Sequence, residues 1–249
     1  MEFIVFMSLN TKELKSFVKN VLLNSGKVAE KYYRKQGRYS VKADKSLVTI
    51  ADEEIENFIR KEILNKFKSH NILGEEQGGE LKKNNYNWVI DPIDGTSSFK
   101  AGRPIFTTLF ALYKGLEPVF GAIYQPITKE LLLAIKGKLY FNGKPVDLIA
   151  SNKKITLATT SPDLLDKQGK AYFEKLKKPH KNTIYGGDAY NYMLLALGQI
   201  DTIYEQGLKK HDFLPLIPIL SAAGAKLTDL KGKPIKADYE GKEFLARAC

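Results

Sequence analysis

A chain of 249 residues, 43% of them apolar, can bury one large core or two small ones and is too apolar to be disordered. Its single cysteine, Cys249, excludes an internal disulfide framework and a cysteine-built metal site, and fits a reducing cytoplasm. The net charge of +11 invites a nucleic-acid partner, yet only five of the 39 basic residues are arginine (Arg34, Arg38, Arg60, Arg103, Arg247). The lysines are scattered and interleave with no aromatic RNA-binding motif, so a solvated surface is expected instead.

The early apolar run "FIVFM" is too short for a membrane span and lacks a signal peptide's basic flank. Met7 offers a second chain start, so nothing is built on residues 1–6. Asn10 to Glu13 supplies an N-cap and a back-reaching acid, after which Leu14, Phe17, Val18, Val21, Leu22 and Val28 share one face; a helix is predicted over 11–33. A second helix begins near Thr49, turns Ile55, Phe58, Ile59, Ile63 and Phe67 inward, and ends before Asn71. "TTLFALY", "PVFGAIY" and "ELLLAI" then read as an antiparallel meander, with "FNGK" a tight turn. From "KITLATT" onward strands alternate with helices: a helix around Ala171, a strand near Ile184, a helix over Ala189–Leu197, the strand "DTIYE", a helix from Phe213 with a kink at Pro218, and the strand "AKLTDL". The expected organisation is one compact unit with an α+β half over 1–145 and an α/β half over 146–249.

"WVIDPIDGTSSF", residues 88–99, carries the most chemistry. "WVI" reads as a short buried strand that Pro92 terminates as Asp91 arrives. Asp91 and Asp94 then converge with the Ile93 carbonyl free between them, a hard-oxygen set suited to Mg²⁺. Gly95 permits close backbone approach, and the amides that follow it would receive a phosphate oxygen. Each feature also has a plainer reading. "DPIDG" has turn composition, Glu75 and Glu76 fit a solvated pair, Asp212 and Asp188 fit N-caps, and Asp52 stands three after Thr49 as in a capping box.

Taken together, "SLVTIADEE", "GEE", "WVIDPIDGTSSF" and "GGDAYNYMLLALGQIDTIYEQGLKKHDF…AAGAKLTDLKG" resemble, in order, the motifs of the inositol monophosphatase family of Mg²⁺-dependent phosphatases. The resemblance covers nearly the whole chain from Thr11. It implies a layered αβαβα sandwich, mixing α+β and α/β character, and a homodimer, for which the apolar meander strands are the expected contact because a monomer would leave them partly exposed. It implies Glu75, Asp91, the Ile93 carbonyl, Asp94 and Asp212 as ligands of two Mg²⁺, with Glu76 serving a third, weaker one through water, and it implies sensitivity to Li⁺. Asp52 and Thr96, with Glu75, would form the catalytic set that positions the attacking water, Thr96 hydrogen-bonded to Asp52. Gly95, Thr96, Ser97, Asp188 and Glu205 would contact the substrate, a small phosphate monoester.

His211 departs from the tryptophan usual before the last aspartate in inositol-hydrolysing members, and it is read as a packing residue. "GGDAYNY", "EQGLKKHDFLPLIPIL" and "FKAGRPIFTTL" are closer to the histidinol-phosphatase branch, so histidinol phosphate is the expected substrate. An inositol-1-phosphatase, a broad sugar- or nucleotide-phosphate phosphatase, and an extragenic-suppressor-type protein that binds the transcription machinery stand as alternatives.

Overall fold

The structure, a computed structural model, describes residues 10–35, 39–41, 47–146 and 155–248. Expectations for residues 1–6, for Cys249 and for the Thr49 side chain lie outside what it describes. Helix α1 (Thr11–Tyr32) opens on Asn10, whose side-chain oxygen accepts the Lys12 N–H at 2.9 Å. Helix α2 (Ile50–Lys66) buries Ala51, Ile55, Ile59 and Ile63 as one stripe and carries Asp52 and Glu53 in its first turn, where the dipole favours acids. Between these helices the short strands β1 (Tyr39–Val41) and β2 (Leu47–Thr49) pair antiparallel, a hairpin the apolar pattern did not announce.

A seven-stranded sheet follows in chain order: β3 (Asn71–Gly74), β4 (Tyr86–Asp94), β5 (Thr107–Lys114), β6 (Glu117–Gln125), β7 (Glu130–Ile135), β8 (Lys138–Phe141) and β9 (Lys144–Pro145). Only β3 and β4 pair parallel, and the remainder is the expected meander. The "FNGK" turn closes with Asn142 and Gly143 both at positive φ, 49° and 82°, as a primed hairpin turn requires. Helix α3 (Thr96–Lys100) leaves the end of β4. The second sheet runs β11 (Asn182–Tyr185), β10 (Thr156–Thr159), β12 (Thr202–Gln206), β14 (Glu243–Arg247), β13 (Lys226–Thr228), with helices α4 (Lys167–Lys177), α5 (Asp188–Ala196), α6 (Lys210–Phe213) and α7 (Leu216–Ala222).

Side-chain alternation along the large sheet sorts its residues into two cores. Trp88, Ile90, Phe110, Leu112 and Phe120 face α1 and α2. Val89, Leu109, Ala111, Ile123 and Leu132 face α5 and α7, which in turn pack on Ile203, Phe244 and Ala246 of the second sheet. The far side of that sheet buries Leu157, Tyr204 and Leu245 against Phe173 of α4. The layers are therefore helix, sheet, helix, sheet, helix: the expected αβαβα sandwich. Among the described residues no helix is long and apolar enough to cross a membrane.

Three local expectations are corrected. Pro92 does not end its strand; β4 runs on to Asp94 through a register shift between Asp91 and Asp94, a bulge that tolerates a residue without an N–H. The helical break lies at Leu214–Pro215 rather than at Pro218, which occupies the first turn of α7, where its missing N–H would have had no intrahelical partner. The meander strands are already covered within one chain, Leu109 to Tyr113 being 0% exposed, so their exposure gives no reason for a dimer.

The approach of α7 to β6 depends on Gly121. A Cβ there would collide with the Pro215 carbonyl and lie 2.6 Å from the Pro218 ring. Gly121→Ala should lower stability by about 1–3 kcal/mol through overpacking, read as a reduced urea midpoint at unchanged m-value; an unaltered midpoint would mean that the helix can slide away at no cost.

Candidate metal centre and active site

The β4 bulge places Asp91, 1% exposed, and the partly exposed Asp94 at one end of the large sheet. Asp94 is anchored from across the layers: its Oδ2 accepts the Ala189 N–H at 2.6 Å and lies 3.5 Å from the Thr107 hydroxyl. Three successive residues with positive φ, Gly186 (80°), Gly187 (106°) and Asp188 (42°), turn the chain so that the Ala189 amide reaches it. Aspartate is among the few side chains that enter this region readily. Gly95 has φ 86°, and a Cβ on it would lie 2.8 Å from Asp188 Oδ2, so both backbone angle and space demand glycine there.

Glu75 enters from the turn after β3, where its N–H donates to the Ile90 carbonyl at 3.1 Å. That turn is held by a pair on α2, buried Glu56 and partly exposed Arg60. Glu56, 0% exposed, accepts the Glu76 and Gln77 amides at 2.8 and 3.1 Å and the Arg60 Nε–H at 2.8 Å, while Arg60 donates to the Gly78 carbonyl at 3.0 Å. Asp212 sits in α6, its Oδ2 accepting the Lys209 N–H at 2.7 Å. Asp212 is therefore the third residue of α6 rather than its N-cap, a place Lys209 takes; one oxygen closes back on the cap amide, leaving Oδ1 facing the cluster, 3.2 Å from His211 Nε2.

Two sets of ligand atoms lie within 4.8 Å of one another: Glu75, Asp91 and His211, and Asp91, Asp94 and Asp212. Burial pushes the carboxyls of Asp91 and Asp94 well above the ordinary range; mutual repulsion adds to this, from Glu75 on Asp91 and from Asp188 and Asp212 on Asp94. Glu75 is raised in the same sense, by burial first, and burial lifts Asp212 to about 6 against the Lys209 amide that favours its charged form. Asp91 Oδ1 is buried with no hydrogen-bond partner. Converging hard oxygens, mutual repulsion and one unsatisfied buried oxygen all fit a divalent cation.

The remaining predicted residues are placed unevenly. Glu76 belongs to neither set. Thr96 does not donate to Asp52: its single hydroxyl proton goes to the Ile93 carbonyl, 3.1 Å away, which is therefore not free, although a carbonyl keeps a second lone pair. Asp52 is buried at 1% exposure in the first turn of α2, with Lys100 of α3 as an electrostatic neighbour. Ser97 follows Thr96 in the first turn of α3, which opens on Gly95 without a side-chain cap.

Asp188 and Glu205 line a cavity of about 340 Å³ that Asp94 and Asp212 share, with Leu164, Tyr192 and Leu208 as its apolar wall. Asp188 is the first residue of α5 rather than its cap, a place Gly187 takes. Burial raises Asp188 to about 6, with repulsion from Asp212, while Arg103 pulls it down. Burial lifts Glu205 to about 8, although its Oε1 accepts the Thr160 N–H at 2.7 Å. Sequence reasoning passed over Glu56 and Arg60, whose four-residue spacing was the available signal. It also set His211 aside as packing. The residue is indeed 8% exposed, but its Nε2 points among the acids.

The model of the inositol monophosphatase family matches residues 10–248. The bifunctional phosphatase IMPL2, chloroplastic, of Arabidopsis thaliana is 42% identical over 234 residues, covering 90% of this chain and 67% of its own length. The histidinol-phosphatase of Chlorobaculum parvum is 32% identical over 222 residues, 87% of this chain and 86% of that one. Among solved structures, an inositol monophosphatase from Zymomonas mobilis superposes with a TM-score of 0.83 at 34% identity, covering 95% of this chain and 92% of its own. With the acid cluster at the bulged end of β4 and a match along almost its full length, the chain belongs to the inositol monophosphatase family and is a metal-dependent phosphatase of small phosphate monoesters.

Proposed function

We propose that the substrate is a phosphate monoester whose alcohol carries a cation, with histidinol phosphate as the leading candidate, and that the metal is Mg²⁺, two or three ions per site. The observation that carries this reading is the cavity wall. Beyond the acids of the two ligand sets it holds two more, Asp188 and Glu205, facing an apolar side made by Leu164, Tyr192 and Leu208. An ammonium or imidazolium group gives such acids charge-assisted hydrogen bonds, and a flat apolar ring gives the leucines something to cover. Inositol offers neither. Similarity to a histidinol-phosphatase supports the same choice, while the Zymomonas mobilis likeness keeps inositol phosphate as the second reading.

In this reading Glu75, Asp91, Asp94, Asp212 and the Ile93 carbonyl hold the ions, with Glu76 reaching a weaker one through water. When bound, the ions supply positive charge for the attacking water and for the departing alkoxide. Asp52, beside Lys100, and Thr96 orient the water and take up its proton, which requires the Thr96 hydroxyl to leave the Ile93 carbonyl. The amides after Gly95, with Ser97, receive phosphate oxygens, and Asp188 with Glu205 fixes the cationic leaving group. The reading includes a homodimer acting in the cytoplasm and no nucleic-acid partner. A homodimer would scatter light as about twice the 28.0 kDa chain.

Asp94→Asn removes ligand charge while keeping shape, so kcat/KM should fall by roughly two or more orders of magnitude with the circular dichroism unchanged; retained turnover would sink the ligand assignment. Metal binding should also be visible in stability. Asp91, Asp94, Asp188, Asp212 and Glu205 all hold protons more tightly folded than unfolded. The metal-free protein therefore loses stability as pH rises from the ordinary carboxylate range through about 6 and on to about 8. MgCl₂ should raise Tm far more at pH 8 than at pH 5, since at low pH it competes with bound protons; a larger shift at pH 5 would contradict the account.

Substrate choice rests on a separate substitution. Asp188→Asn keeps size and loses charge, so KM for histidinol phosphate should rise by about tenfold with little change for an uncharged ester. Equal effects on both esters, or a wild-type preference for inositol-1-phosphate, would remove the cationic substrate and leave the phosphatase.

A further inference from the structure

The chain contains three histidines, and two are committed to packing and hydrogen bonds. His70 lies among aromatic rings, 4.8 Å from Phe67 and from Tyr86, and its Nδ1 accepts the Trp88 indole N–H at 3.0 Å. His180 engages the Leu176 carbonyl at 2.6 Å through one ring nitrogen and the Thr202 hydroxyl at 3.0 Å through the other. His211 differs. It is 8% exposed, and its Nε2 lies 3.2 Å from Asp212 Oδ1 and 3.9 Å from Glu75 Oε1. It forms a set with Glu75 and Asp91 whose ligand atoms all fall within 4.8 Å. Asp91 Oδ1, buried and without a hydrogen-bond partner, lies in the same cluster.

Resting on the reading that these acids bind metal, we propose that His211 Nε2 is itself a ligand, beside Glu75 and Asp91, and makes one of the two sets a mixed nitrogen–oxygen site that holds Co²⁺, Zn²⁺ or Mn²⁺ more tightly than the all-oxygen set does. The chemistry separates the two sets. Asp91, Asp94 and Asp212 offer only hard oxygens, the donors Mg²⁺ prefers. An imidazole adds little for Mg²⁺, which holds nitrogen weakly and keeps its waters, but strengthens binding of borderline transition ions. Asp91 belongs to both sets and would be shared between two unlike sites. The plain alternative is that His211 only holds the Asp212 carboxylate in place.

The test is titration of Co²⁺ and, separately, Mg²⁺ into metal-free wild type and His211→Phe by calorimetry, with the visible spectrum of bound Co²⁺ as a second readout. The phenylalanine variant should lose about tenfold or more in Co²⁺ affinity at one site, with Mg²⁺ affinity changed by less than about threefold. Its Co²⁺ spectrum should become that of an all-oxygen site. Should the ring substitution unfold the metal-free protein, His211→Gln, which offers an amide oxygen instead of the ring nitrogen, is expected to show the same selective loss. Equal weakening of both ions would assign His211 to holding Asp212, and unchanged Co²⁺ binding and spectrum would make it a bystander; either result overturns the proposal. A wild-type protein that binds neither ion would overturn the underlying metal reading as well.

Discussion

Everything near the active end of this fold follows from holding carboxylates closer together than their charges favour. Ligand atoms of Asp91, Asp94 and Asp212 lie within 4.8 Å of one another, where each like-charged pair costs on the order of 3 kcal/mol at an effective dielectric of about 20. No single element could absorb that cost. The acids arrive from the turn after β3, the bulged end of β4 and the short helix α6, each anchored by its own backbone contacts before it meets the others. The Ala189 amide on Asp94 and the Lys209 amide on Asp212 each cancel part of the repulsion. What stays uncancelled, in the raised carboxyls and the unsatisfied Asp91 oxygen, is the affinity available to a cation.

The same constraint explains features that look wasteful in isolation. A bulge at Pro92 interrupts a central strand, but an unbulged strand would send Asp91 and its neighbours to alternate faces. Buried Glu56 and partly exposed Arg60 contribute little apolar packing, yet between them they bond two amides and one carbonyl of the turn that carries Glu75. A Cβ on Gly74 would strike the Glu56 carboxylate, so the turn and the ion pair require each other. Asp188, at φ 42°, completes a left-handed run, which aspartate tolerates, and the result is the Ala189 amide on Asp94.

The layered fold was legible because its signals are periodic: α1 and α2 in the 3.6-residue stripe, β5 to β7 in apolar runs between turn residues, the second half in alternating elements. The acids of the candidate site were named from motif order, and the structure brings Glu75, Asp91, Asp94 and Asp212 to one place. The failures are positional. Pro92 and Pro218 were read from proline's local cost alone, whereas a bulge absorbs the first and a helix's first turn hides the second. The strands β1, β2 and β14 were missed because "YSV", "LVT" and "EFLAR" are too short to show a period, and pairing with a neighbour decides them. His211 is buried as the packing reading expected, but no one-dimensional pattern announces that its Nε2 also faces two carboxylates.

The site's two ends come from different layers, which bears on how specificity can be set. Three acids of the cluster, Glu75, Asp91 and Asp94, hang from the large sheet, whereas Glu205, Leu164 and Leu208 come from the second sheet and its loops. β12 ties these together: Glu205 accepts the Thr160 amide at 2.7 Å and Gln206 accepts the Asp166 amide at 2.8 Å, so one strand grips both ends of the turn that presents Leu164 at 62% exposure. Replacing a residue on that turn would reshape the cavity wall without moving an acid of the cluster. Asp94 is the exception, since it belongs to a ligand set, lines the cavity and is bonded by the amide that follows Asp188. Through that bond, the backbone turn that sets Asp188 on the cavity wall also sets Asp94 in the acid cluster, so the two are positioned together.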